Sequence, residues 1–253
     1  MKDQAKYMGK RLLQLFRFPR PGRSYSQFAE DRVLACLMMA EAYRERRVGI
    51  WKSWIGDSML PRVGAYVDIG ANEPIRFSNS YFFYRLGWSG ICIDPTPGMK
   101  RSFDLVRPRD QNLELAVGTV PGTQTYYSWG AGCVVNTFDP RHAERWASEF
   151  GRSPQKIPVG VERLASILEG HLSGSPIDFF SVDCEGVDLD VLRSNDWDRF
   201  RPRWVLVELH EDSPVALLDS DLVHFMKGVG YRIVAWPRPS VVFARMDDLE
   251  WSP

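Results

Sequence analysis

An α/β fold built on a mostly parallel, doubly wound sheet with an antiparallel edge is what the sequence predicts. Three observations carry this. Short apolar runs rich in Val, Ile and Phe alternate five times with helix-length segments from Ala65 onward. The runs end in Gly, Pro or acidic residues, and two final runs flank Pro237-Arg-Pro239 as a closing hairpin. Buried parallel strands read as near-continuous apolar runs, whereas an exposed antiparallel sheet alternates.

Element by element, Ser26 can cap a helix whose first turn carries Glu30 and Asp31 and whose apolar stripe is Phe28, Val33, Leu34, Leu37 and Met38. Ala65–Ala71 is a strand ending in a glycine turn, Ser80–Leu86 a helix stopped by Gly87, and Gly90–Asp94 a strand stopped by Pro95. Pro97–Val106 reads as helix and Asn112–Val117 as the third strand. Gln124–Trp129 adds an extra strand, followed by helices over Pro140–Phe150 and Val161–Glu169. Ile177–Asp183 is strand four, Leu189–Arg193 helix, Trp204–Leu209 strand five and Leu217–Val229 helix. Tyr231–Trp236 and Ser240–Arg245 form the hairpin. The expected organisation is a basic segment 1–25, a helical region 26–60 packing on the core, and a main domain 61–253 with an insertion at about 123–156.

Composition narrows the partners. The 253 residues are 44% hydrophobic with 32 basic and 32 acidic side chains, so charge gives no reason to expect nucleic acid. No apolar run approaches the roughly 18–20 residues of a membrane span, and Met1–Arg23 lacks the apolar core of a secretory signal. Cys36, Cys92, Cys133 and Cys184 form no C-x-x-C pair, which argues against zinc or a disulfide framework and for a reducing cytoplasm. Residues 1–25 set Lys2, Lys6, Lys10, Arg11, Arg17, Arg20 and Arg23 against Asp3, interleaved with apolar residues. Peripheral contact with the inner face of a membrane is one reading of this segment. A frayed terminus, or a helix packing on its own domain or on a second subunit of a homo-oligomer, is the other.

In open parallel sheets the ligand lies beyond the carboxyl ends of the strands. Those ends carry Asp68, Gly70 and Asn72, then Asp94, then Asp183 and Glu185, then Glu208 and His210. Buried carboxylates are costly unless paired, hydrogen-bonded or in reach of a ligand. Asp94 lies 24 residues past Gly70, where a nucleoside-binding βαβ unit places an acid for ribose hydroxyls. The turn is neither G-x-G-x-x-G nor a Walker loop, so a nucleoside without pyrophosphate fits best, and S-adenosylmethionine is one. The alternative for Asp68 and Asp94 is strand-end capping.

Several stretches together carry a family resemblance: Ser26-Gln27…Glu30-Asp31, Tyr66–Pro74, Ser78–Pro95, Arg107-Pro108-Arg-Asp110, Ile177–Leu192, and Arg201-Pro202…Glu208. The set resembles the FkbM-type methyltransferases. The resemblance implies a seven-stranded class I, Rossmann-like fold and S-adenosylmethionine-dependent O-methylation of sugars, glycans or polyketide-type products. It implies cofactor contacts at Asp68, Gly70 and Asn72, with Ser78 and Asn79 near the amino-acid tail and Asp94 on the ribose. Ala116 and Val117 would flank the adenine, Asp110 would assist there, and Gln27 would close the pocket. Glu73, Pro74 and the long Trp129–Lys156 segment depart from the family pattern.

In-line methyl transfer to a hydroxyl calls for alignment and a base in reach. The catalytic candidates are Asp183, Glu185, Glu208 and His210, with Asp183 and Glu185 also able to bind an acceptor diol. A second option is that these four share a magnesium or manganese ion. Asp188 and Asp190 read as caps of the next helix, and Tyr81–Trp88 as aromatic core. Tyr126, Tyr127 and Trp129 are expected to line the acceptor pocket, under a lid over 130–156 bearing Arg141, His142, Arg145, Arg152 and Lys156. The rival function is a catalytically inactive nucleoside-binding scaffold; a nicotinamide oxidoreductase lacks its phosphate-binding glycines.

Overall fold

The computed structural model describes residues 24–44, 63–172 and 176–248. The basic segment's expected membrane or subunit contact lies outside these residues, as does the end of the 26–60 region. Among the described residues no helix is long and apolar enough to cross a membrane.

The main sheet has seven strands: β1 (Ala65–Ile69), β2 (Ser89–Ile93), β3 (Gln111–Leu113), β7 (Phe179–Val182), β8 (Trp204–Glu208), β9 (Tyr231–Ala235) and β10 (Ser240–Arg245). Their order is β3-β2-β1-β7-β8-β10-β9. The first five are parallel, and β10 runs antiparallel to β8 and β9. The reversal of direction along the sheet falls between β1 and β7, where a crevice opens at the strand ends.

The two-residue period of each strand divides the core. Val67 and Ile69 of β1, Ile91 and Ile93 of β2, and Phe180 and Val182 of β7 meet one helical layer. That layer is α5 (Leu164–His171), α6 (Asp188–Arg193) and α8 (Asp221–Gly228). Tyr66, Cys92 and Phe179 point the other way. They meet α1 (Glu30–Arg44), α2 (Tyr81–Arg85) and α3 (Met99–Val106). The aromatic run Tyr81–Tyr84 and Trp88 is buried there as expected.

Four expectations are corrected. The third strand splits: edge strand β3 is held on one side only, so the chain peels away after Leu113, and Ala116–Val117 (β4) joins a second sheet. That sheet, ordered β4-β6-β5, pairs β5 (Gly122–Ser128) with β6 (Gln155–Glu162) and with α4 (Pro140–Phe150) forms the insertion. The sequence reading placed no strand at β6 because Pro158 and Gly160 interrupt it. β4 reaches only Val161 and Glu162, so the edge beside Pro158 is unpaired and tolerates a missing N–H. The helix expected from Leu217 begins at Pro214 and breaks at Ser220 into α7 (Pro214–Asp219) and α8. Phe28, assigned to the α1 stripe, is 53% exposed, because α1 starts only at Glu30 after Ala29 at φ 70°. Ser26 still accepts from the Asp31 N–H at 3.3 Å.

Candidate functional site

A cleft with an open mouth lies over the carboxyl ends of β1, β2 and β7. β1 contributes Gly70 and Asn72, β2 Asp94 and Thr96, the β7 turn Asp183 to Glu185, and the second sheet Ala116, Val117 and Tyr126. Exposed Gln27 sits at its mouth. Of the four non-glycine residues with positive φ among the described residues, Asn72, Phe77 and Glu185 all line this cleft. Backbone strain of this kind concentrates at functional sites.

Asp94 is the best-organised polar group there. Its two carboxylate oxygens accept the Asn72 and Thr96 N–H groups, each at 2.8 Å. Burial pushes its pKa up to about 6 against those two hydrogen bonds. Each oxygen retains a lone pair for a further donor, which suits a pair of neighbouring hydroxyls. Beside it the Tyr126 hydroxyl lies 3.0 Å from Thr96 Oγ1.

Gly70 lines the cleft and has a further part. It sits at φ 76°, and a Cβ there would stand 1.8 Å from the Asp183 carbonyl oxygen. The missing side chain lets the β1 and β7 turns touch, which brings Asp183–Glu185 to the cleft.

The structure does not bring Asp68, Ser78, Asn79 or Asp110 to the cleft. Asp68 shares the β1 face of Tyr66, so it points beneath the sheet end toward α2, where the Ser80 hydroxyl donates to it. Burial holds its pKa above the usual carboxylate value. Asp110 receives Arg107 Nε at 2.7 Å and the Tyr66 hydroxyl at 2.9 Å. Ser78 accepts from Tyr81 N and Arg107 Nη1, and the Asn79 amide donates to Ser181 Oγ at 3.1 Å. These residues form a buried polar strut behind the site. Strand parity was the signal that separates Asp68 from the cleft.

Asp183, Glu185 and Glu208 converge, with one carboxylate oxygen from each lying within 4.8 Å of the others. Burial raises all three: Asp183 well above its ordinary value, Glu185 to about 8, and Glu208 to about 7. Asp183 is raised further by Glu208, with which it shares a hydrogen bond. Such a cluster is neutralised by shared protons or by a cation, and three oxygen donors suit magnesium or manganese. His210 reaches only Glu208, at 3.3 Å, and its side chain is 72% exposed.

A second cavity, about 1,330 Å³ including its open side, adjoins the first. Glu185 lines both. One wall carries Glu208, His210 and Glu211; the other is the face of α4 bearing His142, Arg145 and Trp146. The aromatic side chain here is Trp146. Trp129 packs in a small core with Val135 and Ala143, Tyr127 is half-buried against it, and Tyr126 belongs to the first cleft. Sequence reasoning missed Thr96, which follows Asp94 in the β2 turn, and Asn136, Thr137 and Phe138, because an irregular insertion has no periodicity from which to read facing.

Residues 68–233 match the family model described as the methyltransferase FkbM domain. The chain belongs to the FkbM methyltransferase family. No curated protein matches it. Among solved structures, a Burkholderia thailandensis 1,6-didemethyltoxoflavin-N1-methyltransferase with bound 1,6-didemethyltoxoflavin and S-adenosylhomocysteine aligns at 10% identity and a TM-score of 0.36, over 91% of this chain and 94% of that one. The pyocyanin biosynthetic protein PhzM aligns at 15% identity and 0.33, over 86% and 58%. The order of the seven strands puts this FkbM member's cleft at the switch point of its sheet.

Proposed function

We propose that the protein binds S-adenosylmethionine in the first cleft and transfers its methyl group to a hydroxyl of a sugar, glycan or polyketide-type acceptor held in the second cavity. The observation that carries the reading is Asp94, a buried carboxylate braced by two N–H groups that lines the cleft at the strand ends. Ala116 and Val117 supply the apolar wall an adenine needs. Family membership supports the reaction class.

The S–CH3 bond breaks as the O–CH3 bond forms, and the sulfonium leaves as a neutral thioether. Alignment supplies much of the acceleration. Glu185, shared by both cavities, stands where the two substrates meet, and with Glu208 it can hydrogen-bond acceptor hydroxyls. Trp146 offers a face on which a sugar ring can stack.

Calorimetric titration with S-adenosylhomocysteine tests the cofactor assignment. Micromolar binding is expected, weakened by about 1.5–3 kcal/mol in Asp94→Ala, the loss for a hydrogen bond to a charged group. Absence of binding by the intact protein overturns the reading in favour of a scaffold.

A further inference from the structure

His142 packs against the backbone of Glu185, the residue shared by the two cavities, and its surroundings specify its chemistry. It lies in the first turn of α4, which Asp139 caps by accepting from Arg141 N at 2.8 Å. With Arg145 and Trp146 it occupies positions i, i+3 and i+4, one face of the helix, and all three line the second cavity. Its Nδ1 lies 3.3 Å from the carbonyl oxygen of Glu185, to which Thr137 Oγ1 also donates at 3.1 Å. A carbonyl only accepts, so Nδ1 carries the hydrogen and the neutral ring keeps its lone pair on Nε2.

Gly186 makes room for this arrangement. A Cβ at that position, where φ is 96°, would stand 2.8 Å from His142 Cε1. The ring therefore rests on the backbone that follows Glu185, the residue lining both cavities.

We propose that His142 is a catalytic residue that accepts the acceptor hydroxyl's proton on Nε2 during methyl transfer. This inference rests on the reading of the protein as a methyltransferase. As the methyl group moves from sulfur to oxygen, the O–H electron pair stays on oxygen and the proton passes to Nε2. The resulting imidazolium releases it to solvent through the open second cavity. The Glu185 carbonyl holds the ring and stabilises the positive charge that Nδ1–H then shares.

The clamp and the base are separable by substitution. Asparagine places an amide N–H where Nδ1 stands and nothing where Nε2 stands, whereas glutamine does the reverse. His142→Asn is expected to keep the melting temperature and S-adenosylhomocysteine affinity of the wild type while losing about 100- to 10,000-fold in turnover. Turnover is read as S-adenosylhomocysteine formed from S-adenosylmethionine with methyl glycosides of glucose, mannose and rhamnose as acceptors. Imidazole added to His142→Gly should restore part of the rate. An active His142→Asn beside an inactive His142→Gln overturns the proposal and leaves His142 a clamp.

A measurement independent of the acceptor accompanies these. Long-range 1H–15N spectra of the protein saturated with S-adenosylhomocysteine, assigned by difference against His142→Asn, should show a hydrogen on Nδ1 and none on Nε2. The opposite tautomer overturns the proposal. Failure of the wild type to bind S-adenosylhomocysteine overturns the methyltransferase reading and this proposal with it. Binding without transfer to any glycoside counts against the sugar class alone, and the tautomer then decides His142.

Discussion

Arg107 is the largest fully buried side chain among the described residues, and it has a partner for each face of its guanidinium. Nε goes to Asp110 at 2.7 Å, Nη2 to the Tyr66 and Ser80 hydroxyls at 2.8 and 2.9 Å, and Nη1 to Ser78. Ser80 in turn donates to Asp68, so one cation ties β1, α2 and the segment after α3 into a unit. Removing one member of a buried pair leaves the other charge unsatisfied, which costs far more than the pair contributes. Arg107→Ala should therefore destabilise the fold by about 3–5 kcal/mol in denaturant unfolding. The companion Arg107→Lys should recover little, since an ammonium cannot span Asp110 and two hydroxyls at once. A loss below about 1 kcal/mol, the scale of an exposed pair, would contradict the strut. Asp68 was legible as a costly buried acid and Asp110 entered only through the family resemblance; their partner was not legible, because Arg107 gave no periodic signal in the sequence. The place of Asp94, in contrast, was readable: an acid directly after an apolar run and before a proline stands at a strand end, and there it lines the cleft.

At the scale of elements, legibility followed the physics of each segment. Central strands β1, β2, β7 and β8 announce themselves because burial on both faces demands unbroken apolar residues. β6 does not, because only Val159 and Val161 of its eight residues are buried and a proline sits among them. The α7–α8 break was encoded differently, in caps. Ser213 accepts from Ala216 N at 3.2 Å and Ser220 from Val223 N at 3.3 Å, with Pro214 at the first helical position. Apolar spacing runs through Ser220 and hides the break, since Leu217, Leu222, Val223 and Met226 all reach one core. Ser220 is extended, at φ −68° and ψ 145°, so alanine there loses the cap of α8 without gaining a continuous helix. Ser220→Ala should cost about 1 kcal/mol. The effect belongs to unfolding stability and not to cofactor affinity, because Ser220 borders the second cavity and lies outside the first. Calorimetry with S-adenosylhomocysteine on the same variant checks that division.

Across the whole molecule, the carboxyl groups at the strand ends make stability depend on pH in a direction opposite to that of most surface acids. Paired acids outside the core such as Asp104 and Asp139 are held below their ordinary values by Lys100 and Arg141, so their contribution is present at neutral pH and lost in acid. The site works the other way. Glu185 and Glu208 bind protons more tightly folded than unfolded, with values near 8 and 7 against an ordinary 4.5. Their contribution is full below about 4.5 and is lost as pH rises through the folded values. The protein without cofactor should thus melt at a lower temperature at pH 8.5 than at pH 6. Glu185→Gln, which removes the charge but keeps the shape, should flatten that slope between pH 6 and 8.5 and raise the melting temperature at the alkaline end. A slope unchanged by Glu185→Gln would place the titration elsewhere. The same reasoning explains why the fold tolerates three adjoining acids: the carboxyls converge at the ends of β7 and β8, where the two cavities adjoin, and stability is given up there for a polar site.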